Sequence, residues 1–166
     1  MSIFEAIILG IIQGLTEFLP VSSSGHIELG KYFLGVETND NLLFSIIVHG
    51  ATALSTIIVF RKDILLIVKD LFSFQWNEST QFSSKILLSM IPVGVVGILF
   101  EDKIEALFGG QITLVAYMLL LTGVLLGFTY FAKPPTGDVS FGKSFIIGIA
   151  QAIAILPGIS RSGSTI

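Results

Sequence analysis

The chain has 166 residues, 52% of them hydrophobic and 13% charged, with a formal net charge of −3. An average soluble domain carries about a quarter charged residues, so this composition belongs in lipid, and the sparse cations exclude a basic surface for nucleic acid. Cys is absent, which excludes a disulfide framework, a thiolate nucleophile and a thiolate metal site.

Apolar runs fall at 3–19, 42–60, 86–100, 112–132 and 145–156. The N-terminus has no basic region, carries Glu5 and shows no cleavage site after its apolar stretch, so it reads as mature structure and not as a removable signal. A helix crosses the hydrocarbon layer with roughly 20 apolar residues. The second and fourth runs meet that length, and the third, which contains Pro92, spans as a kinked or tilted helix. The first run contains Glu5, Gln13 and Glu17 and stops at Pro20, and the short fifth stops at Pro157. Both suit re-entrant segments.

Those two runs also resemble each other. AIILGIIQ at 6–13 aligns with SFIIGIAQ at 144–151, and LPVSSSG at 19–25 aligns with LPGISRSG at 156–163 with one insertion. Paired interrupted segments mark binding sites near the midplane of repeat-built membrane proteins. With three spans between them, the two loops enter from opposite faces. The fold expected is therefore an all-α integral membrane protein: a multi-span helical bundle with two re-entrant helix-loop segments related by an inverted-topology repeat. It forms one membrane domain, with a first repeat over about 1–132 and the start of a second over about 141–166.

Arg61, Lys62, Lys69, Lys85, Lys133 and Lys143 fall on one side of these spans, against Lys31 and Lys103 on the other. The positive-inside tendency puts the first group in the cytoplasm and leaves the N-terminus, a loop around Tyr32 and the acidic stretch at 101–105 outside. The polar stretch at 70–85, with Trp76, reads as an interfacial loop or short amphipathic segment. Gly94, Gly97, Gly123 and Gly127 read as close helix packing. His49, beside Gly50 in the second span, reads as a structural residue and stays outside the site.

The chemistry concentrates in the loops. Gln13 and Glu17 share one helix face, and a carboxylate in an apolar segment normally faces a cavity, a partner or an ion. Beyond Pro20, Ser22, Ser23 and Ser24 supply hydroxyls, Gly25 an open backbone and His26 a proton carrier. Taken alone, this reads more readily as a serine-rich cap than as a catalytic motif. In the second loop, Ser160, Arg161, Ser162 and Thr165 surround a guanidinium suited to bidentate phosphate contacts. An Arg161–Glu17 ion pair would be the purely structural alternative.

Together, QGLTEFLPVSSSGH and LPGISRSGSTI resemble the signature motifs of the undecaprenyl-diphosphatase, or bacitracin-resistance, family, and the resemblance covers essentially the whole chain. It implies a phosphatase of the bacterial inner membrane that converts undecaprenyl diphosphate to undecaprenyl phosphate and phosphate at a periplasm-facing site, using Mg²⁺ or Ca²⁺. Glu17, Ser23 and His26 match the catalytic positions, and Ser160, Arg161, Ser162 and Thr165 the phosphate-binding ones, with Ser22 and Ser24 beside them. The metal ligands expected are Glu17 and, weakly, Gln13, which stands where many members carry Glu. In this scheme Ser23 attacks phosphorus, Glu17 takes its proton, His26 serves the leaving group or water, and Arg161 holds developing charge. Water in place of Ser23 as nucleophile is the other route. The family continues through further spans after its second motif, so the chain reads as truncated there. The partners expected are the lipid substrate, the bilayer and a second copy in a homodimer. A transporter or flippase of phosphorylated isoprenoid lipid is the alternative.

Overall fold

The computed structural model of the chain describes residues 1–36, 41–107, 111–132 and 137–166. Lys133, counted above among the cytoplasmic cations, lies outside them. The described residues are helical with connecting turns: α1 (Ile3–Thr16), α2 (Ser23–Leu34), α3 (Asn41–Val59), α4 (Arg61–Phe72), α5 (Glu78–Leu99), α6 (Glu101–Leu107), α7 (Ile112–Phe131), α8 (Phe141–Ile153) and α9 (Arg161–Thr165). α5 and α7, of 22 and 20 residues, are long and apolar enough to cross a membrane, and α3 with α4 makes a third candidate broken by an 81° bend. This is an all-α, multi-span membrane protein.

Caps explain where the elements start. Ser2 closes a capping box at α1, its backbone N–H donating to Glu5 while its hydroxyl accepts from the Glu5 N–H. Asn77 caps α5 by accepting from the Thr80 N–H. The third span therefore begins at Glu78, earlier than the apolar run at 86, and most of the polar stretch at 70–85 belongs to helix. The amphipathic piece is instead α4, which carries Arg61, Lys62 and Lys69 and leaves α3 at a sharp angle. Tyr32 lies on α2 and not in a loop. Its neighbour Lys31 is buried and paired with Glu28 at 2.8 Å, so it is no free loop cation.

Packing is concentrated in a few lines. α1 and α2 lie against each other, α2 and α9 against α7, and α8 along α5. Pro92 sits inside α5, where its missing N–H interrupts the helix ladder, and Gly148 of α8 fits against this break. A Cβ there would stand 2.5 Å from the Ser89 carbonyl oxygen and 3.0 Å from the Pro92 ring. Trp76 stacks on Phe141 at 6.4 Å, and Lys85 lies over the same ring, tying the starts of α5 and α8. Gly94, Gly97, Gly123 and Gly127 show nothing within 4 Å of an added Cβ. Small-residue spacing alone did not identify the contacts, which fall on Gly25, Gly30, Gly148, Gly158 and Gly163.

Candidate functional site

α1 and α8 are too short to cross as single helices, and each leads through a turn to a further helix start. At the first, Ser22 caps α2 with its hydroxyl accepting from the Gly25 N–H, and its own backbone is left-handed at φ 67°. At the second, Ser160 caps α9 with its hydroxyl accepting from the Gly163 N–H at 3.0 Å. Each cap also has a hydroxyl neighbour two residues on, Ser24 at 3.4 Å and Ser162 at 3.1 Å. The compact S-x-S-G turn is thus built twice, each time on a short helix that itself starts at a capping serine, Ser2 or Ser140.

The two turns touch. Gly25 lies so close to Gly158 that a Cβ on the first would be 2.9 Å from the Cα of the second, and one on Gly163 would be 3.0 Å from the Pro20 carbonyl oxygen. Between them is a cavity of about 200 Å³. Glu17, Ser22, Ser23 and Ser24 line it from the first motif, and Ser160, Arg161 and Ser162 from the second, with Leu19 and Ile159 as apolar wall.

Within the cavity the Ser23 hydroxyl donates to Glu17 Oε2. The same oxygen accepts from Gln13 Nε2 at 2.9 Å. The carboxylate is therefore held from both sides, and a hydroxyl is aimed at a base. Arg161, exposed at the cavity, forms no ion pair with a carboxylate among the described residues. The structural alternative, a Glu17–Arg161 pair, is not the arrangement adopted.

Other expected site residues lie differently. The His26 ring is not part of the cavity lining. Its Nδ1 stands 2.8 Å from the Ser22 carbonyl, which requires a proton on that nitrogen in the bond. Thr165 directs its hydroxyl to the Arg161 and Ser162 carbonyls of its own helix. Gln13 is buried with Oε1 unpartnered, and its amide turns the NH₂ and not the oxygen toward Glu17.

Two residues join that the motifs did not indicate. His49 of α3 lines the cavity, with Nε2 3.9 Å from Glu17 Oε2 and Nδ1 bonded to the Ser45 carbonyl at 2.8 Å. A lone histidine in an apolar run carries no signal of this in sequence. Thr122 of α7 is buried and bonds to the backbone of the second turn, a contact that helical spacing does not encode.

A hard divalent cation takes oxygen ligands. The cavity offers one carboxylate and several hydroxyls, and no group of three or more His, Asp or Glu side chains occurs among the described residues. The donors fit a cation whose remaining ligands come from phosphate oxygens and water.

Residues 6–166 match the bacitracin resistance protein BacA family. The chain is 60% identical over its whole length to an undecaprenyl-diphosphatase of Christiangramia forsetii, covering 64% of that protein. It is 53% identical to one of Bacteroides fragilis, covering 63%, and 43% identical to one of Halothermothrix orenii, covering 62%. The chain thus spans just under two thirds of the length of these relatives. With the match running through both capped turns and the helices that carry them, this chain belongs to the bacitracin resistance protein BacA family.

Proposed function

We propose that the protein acts as a membrane phosphatase, hydrolysing undecaprenyl diphosphate to undecaprenyl phosphate and inorganic phosphate. This would recycle the lipid carrier for peptidoglycan synthesis and give resistance to bacitracin. The observation that carries the reading is the Ser23 hydroxyl bonded to Glu17 across a small polar cavity from Arg161.

Arg161 holds the terminal phosphate with the Ser160 and Ser162 hydroxyls, a charge-assisted arrangement suited to phosphate. Ser23 Oγ attacks the terminal phosphorus and its proton passes to Glu17 Oε2. The Oγ–P bond forms as the bond from phosphorus to the bridging oxygen breaks, and undecaprenyl phosphate leaves with that oxygen. The proton on Glu17 passes to the departing undecaprenyl phosphate, and the freed carboxylate takes a proton from the water that cleaves the phosphoserine and returns it to Ser23 Oγ, freeing phosphate. Negative charge on the phosphoryl oxygens is met by Arg161 throughout. A divalent cation held by Glu17 and the neighbouring hydroxyls would neutralise diphosphate charge. His49, with Nε2 toward Glu17, is the polar wall that keeps this carboxylate oriented.

The lysines and arginine on α4, with Lys85 and Lys143, support a cytoplasmic side there and a cavity facing outside the inner membrane. The two similar turns support an inverted-topology pair.

The test is inorganic phosphate release from a long isoprenoid diphosphate, by the protein at the full length of its relatives, with and without Mg²⁺ or Ca²⁺. Ser23→Ala and Arg161→Ala should each reduce release at least about hundredfold, and His49→Ala about tenfold. Lipid binding without phosphate release by the unaltered protein would overturn the reading in favour of a carrier of phosphorylated lipid.

A further inference from the structure

We infer that Thr122, midway along α7, is the positioning residue for the second turn, setting Ser160 and Arg161 against the first. The inference rests on the phosphatase reading above and deepens it.

Threonines inside helices normally turn the hydroxyl onto a carbonyl of the preceding turn. Thr16, Thr56 and Thr129 do so here, donating to the Ile12, Thr52 and Leu126 carbonyls at 2.6, 2.9 and 2.7 Å. Thr122 instead reaches across to the second turn. Its hydroxyl donates to the Gly158 carbonyl at 3.0 Å and accepts the Ser160 N–H at 3.0 Å, at only 3% exposure. One hydroxyl thus satisfies two buried backbone groups on either side of Ile159. Ser160 then passes the constraint on, because its own hydroxyl caps α9 immediately before Arg161.

The surrounding contacts show why this helix face can do so. A Cβ on Gly158 would lie 2.6 Å from the Val115 carbonyl oxygen and 2.8 Å from Met118 Cβ, and its φ of 98° suits glycine. One turn of α7 away, Leu119 would meet a Cβ on Gly25 at 2.9 Å. Val115, Leu119 and Thr122 lie on one helix face, so a single side of α7 is the seat for both turns. These close approaches fix distance but not rotation. The directional bonds of Thr122 fix the rotation of the second turn, and with it where Arg161 enters the cavity. Without the hydroxyl, the Gly158 carbonyl and the Ser160 N–H are both buried and unpaired, a state that favours a shifted turn.

The experiment measures phosphate release by the protein at the full length of its relatives, with Thr122→Val and Thr122→Ser made both alone and with Arg161→Ala. Thr122→Val should lower kcat/KM about hundredfold, the scale of a small misplacement of reacting groups, while Thr122→Ser stays within about threefold. In the Arg161→Ala background, Thr122→Val should cost less than about threefold further, because Arg161, the chief group it positions, is already gone. A loss of similar size in both backgrounds would mean a general folding defect and overturn the proposal. So would a Thr122→Ser variant as impaired as Thr122→Val, which also covers a valine variant that does not fold. No release by the unaltered protein would instead defeat the phosphatase reading itself.

Discussion

Glu17 Oε2 is a crowded atom, with Ser23, Gln13 and His49 all directed at it. Gln13 contributes one donor to it at the cost of a buried, unpartnered Oε1, and an unsatisfied buried acceptor costs about 1–3 kcal/mol. Replacing it with a residue of similar size and no polar atoms should therefore separate stability from function. Gln13→Leu is expected to leave the thermal midpoint in detergent unchanged or raised, while phosphate release falls about tenfold as Glu17 loses a tether. A lowered midpoint would show that the amide oxygen is satisfied after all. At this scale the sequence grouped Glu17, the serines and Arg161, which the fold brings to one cavity, because they are adjacent in two short motifs. Adjacency also suggested His26, whose Nδ1 is committed to the Ser22 carbonyl of its own helix. It gave no hint of His49, brought to the cavity by the packing of α3 on α1.

The elements are held by a few close approaches. α8 meets α5 where Pro92 opens the helix, and Gly148 is the residue that fits. Gly148→Ala places a methyl 2.5 Å from the Ser89 carbonyl oxygen, so the helices must separate. Overpacking of this kind costs about 1–3 kcal/mol. Thermal unfolding in detergent should register that loss, and an unchanged midpoint would show that α8 slides freely along α5. The spans themselves were legible, since runs of apolar residues as long as the bilayer is thick have few other homes. Their ends were less so. α5 starts at a cap written in one asparagine, and α4 is an amphipathic helix that begins nine residues before the polar stretch at 70.

As a whole the molecule is inverted relative to a soluble protein. Ile3, Phe131 and Phe74 are at least 82% exposed, and the buried apolar core comprises Leu9, Ile27, Val115, Ala154 and Ile159 among the described residues. Its surface is finished by lipid, so the side on which each turn emerges defines the molecule as much as its core does. The absence of Cys makes this measurable, since any cysteine introduced into these 166 residues is unique among them. With a membrane-impermeant thiol reagent on intact cells, Ser73→Cys, in the turn after α4, should stay unlabelled, and Ser2→Cys should react. The reverse pattern would turn the cavity toward the cytoplasm. Lys31, buried against Glu28, is a reminder that counting charges treats every lysine as free, which packing need not respect.

The order in which the cavity is made follows from where its two turns lie in the chain. At about 5–20 residues per second of synthesis, Ser160 emerges on the order of ten seconds after Ser22. During that interval Glu17 is already in the membrane without Arg161. The partners it has, Gln13 and Ser23, lie four and six residues away, so they are present as soon as the first turn forms. A carboxylate that depended on the second turn would spend the wait unsatisfied. This one is born with its hydrogen bonds, and the half-site can be inserted early and completed late, when α7 receives the second turn.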